Sequence, residues 1–189
     1  MLKRIFDISF SLFLCLLFLC PSIIIGLLIK TTSDGPILFW SQRVGQYNKL
    51  FWMPKFRTMA HTTPIIATNH LNNPHEYVSP VGSFLRRFSL DEIPQLWCIL
   101  TGHMSIVGPR PLLSDASEKK LLDLRTINKI PSLKPGLTGW AQINGRDFLT
   151  EDQKINHDVF YLRHNSFILD MKIVVITIFK VLFSFDVRH

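Results

Sequence analysis

The sequence predicts a mainly helical α/β protein, anchored at a membrane by an N-terminal apolar hairpin. Three observations carry this prediction. Residues 5–29 are almost wholly apolar. Two aromatic-rich runs, 36–44 and 49–57, flank Gly45-Gln46-Tyr47-Asn48 as the strands of a β-hairpin flank their turn. Most of the rest reads as short amphipathic helices punctuated by proline and glycine. Of 189 residues, 47% are hydrophobic and only 19% charged, which argues against a disordered chain and for membrane contact. The net charge of +7 suits an anionic membrane surface, phosphate-rich substrates or nucleic acid. Nucleic acid is the weakest of these: there is no zinc spacing and no long basic helix, and the basic residues are scattered through apolar sequence. Cys15, Cys20 and Cys98 form no CxxC pair, so neither a disulfide framework nor a zinc site is expected, and a reducing compartment fits.

The apolar stretch admits three readings. A cleaved signal peptide would explain Lys3 and Arg4 before an apolar run, but Asp7 intrudes, no small-x-small site follows and apolar sequence continues past Pro21. A spanning helix is long enough. However, Lys3 and Arg4 precede it and Lys30, Arg43, Lys49, Lys55 and Arg57 follow it, so the positive-inside preference places both flanks in the cytoplasm. In the third reading the helix enters the bilayer, turns near Pro21 and Ser22, and leaves on the same side. Proline removes a helix hydrogen bond and Ser22 helps satisfy the freed backbone. This re-entrant hairpin is preferred, with a bent spanning helix as the alternative. Arg4 and Asp7, three apart on a helix, are expected to pair at the interface.

The β-hairpin, weakened at Pro54, brings Arg43, Lys55 and Arg57 near one another. They form either a substrate-phosphate patch or a solvated basic edge, and spacing alone favours the edge. Residues 60–80, rich in Thr, Asn, His and Pro, read as a loop over the site. Residues 81–88 form a short amphipathic helix that delivers Arg86 and Arg87.

Asp91 and Glu92 follow at once. Arginine forks suit phosphate geometry. A carboxylate beside them can hold Mg²⁺, take a proton or attack phosphorus. Against this, Ser89-x-x-Glu92 has the capping-box pattern and Asp91 could itself cap a helix, with Pro94 in the first turn. On these residues alone, capping is at least as good an account as catalysis. Residues 95–100 are core-like helix. Gly108-Pro109-Arg110-Pro111 is a stiff turn that fixes one arginine, read as an anion contact.

Residues 113–130 form an amphipathic helix. Lys134 to Arg146 packs Gly136, Gly139 and Gly145 with Gln142, Asn144 and Arg146 into a loop where backbone could approach a nucleotide closely. It has neither the P-loop nor the dinucleotide pattern. Thr150-x-x-Gln153 starts another helix. In residues 167–183, Asp170, Lys172, Thr177 and Lys180 fall on one arc of an in-plane membrane helix or a core helix.

With these residues in view, the chain resembles the bacterial monotopic phosphoglycosyl transferases, membrane enzymes that start lipid-linked glycan assembly, in their small form without extra membrane spans. The matching segments are Lys3-Arg4-x-x-Asp7, Gln42-x-Arg43-Val-Gly45, Lys55-Phe-Arg57-Thr-Met59, Leu85-Arg86-x-x-Ser-Leu-Asp91-Glu92-Ile-Pro-Gln95-Leu96, Met104-Ser-x-Val-Gly-Pro-Arg110-Pro111, Lys134-Pro-Gly-Leu-Thr-Gly139, Ala141-Gln142-x-Asn144-Gly-Arg146 and Asp158-x-x-Tyr161.

The resemblance implies a monotopic fold: a re-entrant helix-break-helix over 1–31, then interfacial helices and a small hairpin-containing catalytic region over 32–189, on the cytoplasmic face of the bacterial inner membrane. It implies that a UDP-sugar gives its sugar-1-phosphate to polyprenyl (undecaprenyl) phosphate, releasing UMP. It makes Asp91 the nucleophile and a Mg²⁺ contact, Glu92 a proton acceptor or positioning group, and Arg86 and Arg110 phosphate contacts. Lys55, Arg57, Gln142, Asn144 and Arg146 are candidate substrate contacts. Two departures stand out: the family often has an acid where His103 stands, and it shows Ser before Pro where this chain has Pro21-Ser22. Two rivals are a glycosyltransferase that releases UDP and a non-catalytic scaffold that binds lipid phosphate. The sugar, the glycan pathway and the oligomeric state, a homodimer included, are not encoded legibly.

Overall fold

The computed structural model describes residues 1–60, 63, 77–145 and 148–183. Most of the loop expected over 60–80 therefore lies outside the described residues, as does Arg146. The N-terminal apolar stretch forms two helices, α1 (Leu2–Leu17) and α2 (Leu19–Thr32), bent by 59°. The bend falls at Phe18, three residues before Pro21. Helix continuation would need an N–H at Pro21 to meet the Leu17 carbonyl, and proline has none. Pro21 itself sits in the first turn of α2, where N–H groups lack helical partners anyway. Ser22 contributes through its backbone, donating to the Phe18 carbonyl at 2.9 Å. No single helix among the described residues is long and apolar enough to cross a membrane, but α1 and α2 are so as a bent pair.

Both arms pack on the same globular body. In α1, Asp7 is buried and accepts from Ser105 Oγ and the Ile106 N–H, both at 3.0 Å. Arg4 donates to the carbonyls of Ile99 (2.6 Å) and Leu100 (2.8 Å). The expected Arg4–Asp7 pair is thus replaced by two separate ties: each charge meets backbone groups that would otherwise be buried unpaired. In α2, Ile25 and Ile29 pack with Phe56 and Leu85, and Ile93 joins this cluster to the main core of Ile99, Met104, Ile106, Val107 and Ile173.

Strands β1 (Leu38–Val44) and β2 (Leu50–Phe56) form the expected hairpin, in register from Leu38 opposite Phe56 to Val44 opposite Leu50. Tyr47 and Asn48 make the turn at φ 56° and 58°. The short strand β4 (Leu112–Leu113) covers the other side of β1, so β2 is an edge strand and tolerates Pro54. Helix α3 (Pro80–Arg87) is capped by Ser79 and leads into a 3₁₀ turn, Leu90–Gln95, and then α4 (Leu96–Leu100).

The expected glycine-rich loop is instead β5 (Gly136–Thr138) and α6 (Trp140–Ile143), with β5 parallel to β3 (Ser105–Val107). A Cβ on Gly136 would lie 2.1 Å from the Gly108 nitrogen, and one on Gly108 2.2 Å from the Lys134 carbonyl oxygen. These glycines let backbone approach backbone rather than a nucleotide. The amphipathic segment after β4 is shorter than expected, α5 (Lys119–Ile127). Helix α7 (Glu151–His164) starts with the anticipated Thr150–Gln153 capping box.

In α8 (Phe167–Leu182) the polar arc splits. Asp170 is buried against Tyr161 (2.6 Å) and Lys3 (2.6 Å), and Thr177 bonds Thr138 at 2.7 Å. Ile168, Val175, Phe179 and Leu182 point outward beside the exposed Lys172, so the exposed face is largely apolar. Leu12, Leu16, Ile23 and Leu27 of the two N-terminal helices are likewise exposed. Asp7→Ala should cost about 1–3 kcal/mol, because it leaves the Ile106 N–H and Ser105 hydroxyl buried without their acceptor. Thermal unfolding in detergent measures it, and an unchanged midpoint would contradict the assigned tie.

Candidate active site

Capping would have spent Asp91 and Glu92 on backbone. The Ser89 capping box does not form here: Ser89 is in the left-handed region at φ 53° and makes no side-chain cap bond. Instead β2 packs against this turn and aims Lys55 at both carboxylates. Lys55 Nζ lies 2.8 Å from Glu92 Oε1 and 3.5 Å from Asp91 Oδ2. Arg110 Nη1 stands 3.7 Å from the same Glu92 oxygen. Asp91 is only 7% exposed, so the cations offset most of what its desolvation would otherwise cost.

Arg86 reaches the site from the last turn of α3, where Thr58 Oγ1 accepts from its Nε at 2.9 Å. Burial lowers its pKa, and the Asp91 charge opposes that shift. Arg86, Lys55, Arg110, Asp91 and Glu92 therefore belong to one electrostatic unit.

Other expected residues fall elsewhere. Arg57 is buried and donates to the Ser33 carbonyl (2.9 Å) and hydroxyl (2.6 Å), tying the end of α2 to the hairpin. The hairpin does not collect its three cations on one face: Arg43 and Lys55 share a face of the sheet, and Arg57 lies past the strand end. Gln142 has both amide atoms buried without a partner, and Asn144 bonds the Trp140 carbonyl at 2.7 Å. Neither lines the recess formed by Arg43, Lys55, Glu92, Gln95, Arg110 and Pro111. His103 stacks on Phe51 with ring centroids 5.8 Å apart and meets Thr101 Oγ1 at 3.0 Å. Cys15, Cys20 and Cys98 are all free thiols.

Sequence reasoning missed Arg125. Its Nη1 donates to the Arg110 carbonyl at 2.6 Å, and its Nε and Nη2 hold Asp158 Oδ2 at 2.9 and 2.6 Å. This buried pair fixes the backbone that presents Arg110. Asp158 was visible in the Asp158-x-x-Tyr161 segment, but nothing in the spacing joins two residues 33 apart.

Two adjacent carboxylates under converging lysine and arginine side chains place acceptor oxygens beside donors suited to a phosphate's oxygens. Such an arrangement suits a phosphate-group transferase. The chain belongs to the bacterial sugar transferase family, whose model matches residues 1–184. It is 39% identical to an uncharacterized sugar transferase, EpsL, of Bacillus subtilis (strain 168), over 100% of this chain and 91% of the relative. It is 38% identical to a UDP-glucose:undecaprenyl-phosphate glucose-1-phosphate transferase of Escherichia coli (strain K12), over 95% of this chain and 40% of that protein. An N-acetylgalactosaminephosphotransferase of Aeromonas hydrophila, acting on UDP-N-acetylgalactosamine and undecaprenyl phosphate by its name, is 33% identical over 99% of this chain and 45% of its own. The chain thus spans nearly all of the first relative and under half of the other two.

Asp158→Ala should destabilise the fold by about 3–5 kcal/mol, since Arg125 would be left buried and uncompensated. Replacing both, Arg125→Met with Asp158→Leu, should recover much of that loss. Equal midpoints for the single variant and the parent would contradict the assigned pair.

Proposed function

We propose that this chain transfers sugar-1-phosphate from a UDP-sugar to polyprenyl phosphate, yielding a polyprenyl-diphosphate-sugar and UMP, as the initiating step of lipid-linked glycan assembly. The observation that carries this reading is the Asp91–Glu92 pair, held beneath Lys55 and Arg110. The relatives named for undecaprenyl-phosphate sugar transfer support the same chemistry.

In the first step an Asp91 carboxylate oxygen attacks the β-phosphorus of the donor. A phosphorus–oxygen bond to Asp91 forms as the bond to UMP breaks, and UMP carries away the electron pair. In the second step an oxygen of the lipid phosphate attacks the same phosphorus and returns Asp91 to a carboxylate. Covalent catalysis divides a transfer between two anions into two displacements. Lys55 orients Asp91, while Arg86 and Arg110 face the phosphate oxygens as charge develops. Glu92 is tethered between Lys55 and Arg110, which suits a positioning role for those two cations better than proton transfer.

Among the described residues no group of three or more metal-binding side chains occurs. Asp91 and Glu92 still fit Mg²⁺, which is commonly held by one or two carboxylates together with substrate phosphates. Bound there, the ion would offset the diphosphate charge.

A membrane position follows from the substrates and from the surface. The acceptor's phosphate sits at the lipid interface, and the outward faces of α1, α2 and α8 are apolar. Both arms of the bent pair pack on one globular body, which supports a re-entrant course, and the basic residues on both flanks favour the cytoplasmic side for that body.

Protein held in nanodiscs, given polyprenyl phosphate, Mg²⁺ and a panel of UDP-sugars, is expected to release UMP with the cognate donor. Release of UDP would mean a glycosyltransferase instead. Asp91→Asn should abolish turnover and leave membrane association intact; full turnover would sink the nucleophile assignment. Reagents that cannot cross the bilayer should label single cysteines placed at residues 2 and 32, in a chain free of other cysteines, from the same side. Labelling from opposite sides would rule out the re-entrant course.

A further inference from the structure

Gln95 is an anomaly in the site. It is 3% exposed, and its Nε2 is buried without a hydrogen-bond partner. A buried donor left unpaired costs stability, so its retention calls for an acceptor that arrives with a ligand. Gln95 lines the recess shared by Arg43, Lys55, Glu92 and Arg110.

The charges there point to the kind of acceptor. Among the described residues, three cations line the recess and Glu92 is the one carboxylate there. Arg43 donates Nε to Ser41 Oγ (3.1 Å) and Nη1 to the Pro111 carbonyl (3.3 Å), with Glu118 at 4.0 Å. Burial lowers the Arg43 pKa to about 10, and the Arg110 charge adds to the drop against the pull of Glu118 and Glu92. The Arg43 and Arg110 charges repel each other, which favours a further anion beside them. A sugar hydroxyl would need acceptors as well as donors, whereas this lining is rich in donors, which matches a phosphate.

Glu92 borders the recess and Lys55 bridges Glu92 to Asp91. A phosphate in the recess would thus be one bridging oxygen away from a phosphorus facing Asp91. We infer that this recess, with Gln95 and Arg43 as its donors, binds the phosphate of the group that exchanges with Asp91. That is the UMP phosphate in the first displacement and the acceptor's phosphate in the second. In-line displacement requires this sharing: the acceptor must attack opposite Asp91, from the side UMP has left. The inference rests on the proposed phosphoglycosyl transfer.

The test uses the full chain in nanodiscs with two variants, Gln95→Glu, near-isosteric and placing a charge in the recess, and Arg43→Gln. UMP affinity is read by calorimetry and acceptor kinetics with polyprenyl phosphate. Both variants should weaken UMP about tenfold or more and raise the KM for polyprenyl phosphate in parallel, in protein that still unfolds in a cooperative transition. Unchanged UMP affinity in the folded variants would overturn the subsite and leave the proposed reaction standing. Weaker UMP with an unaltered acceptor KM would overturn the shared use. If the parent chain releases UDP rather than UMP, the underlying reaction fails, whatever the variants do.

Discussion

Everything in this site depends on keeping two neighbouring carboxylates charged and aimed in a nearly dry place. Asp91 and Glu92 are adjacent in sequence, repel each other, and lose most of their water on folding. Lys55 at 2.8 and 3.5 Å, and Arg110 at 3.7 Å, supply the compensation. A longer α-helix through this segment would have turned the carboxylates toward its own N–H groups. The tight 3₁₀ turn after a left-handed Ser89 presents them outward to β2 instead.

That compensation works only if the cations are themselves held, and the structure holds them through buried polar ties. The Arg125–Asp158 pair fixes the Arg110 carbonyl. Asp7 grips β3, which leads into the Gly108-Pro109-Arg110-Pro111 turn. Lys3 reaches the Val107 carbonyl (3.1 Å) and Asp170, and Tyr161 shares Asp170. Burial, with Asp170 beside it, pushes the Tyr161 hydroxyl's pKa far up, so Tyr161 stays a neutral donor in this cluster. Helix α1 is therefore bolted to the same strand and turn that carry Arg110.

Much of this was legible. The β-hairpin, α3, α7 and the apolar break near Pro21 follow from patterns local in sequence: alternation about a turn, capping residues, a proline in an apolar run. What was not legible is long-range. Arg4 and Asp7 look like a helix pair by spacing, yet each is claimed by a different distant backbone segment. Lys134 to Arg146 looks like a ligand loop because glycine permits close approach, but sequence does not say what approaches. The polar residues of α8 suggest a wet face, but Asp170 is buried against Tyr161 and paired with Lys3 from α1. Arg57 resembles a phosphate contact by its neighbours and is spent on the end of α2. In each case at least one partner lies tens of residues away, where no periodicity reaches.

The account stands or falls on Asp91 forming a bond to the transferred phosphorus. The direct measurement is to mix the chain with UDP-sugar labelled in its β-phosphate, without acceptor, quench rapidly and map the label by mass spectrometry. The account predicts a phosphosugar on Asp91 that disappears when polyprenyl phosphate is added. Label on another residue, or turnover with no labelled protein at any time, would contradict it.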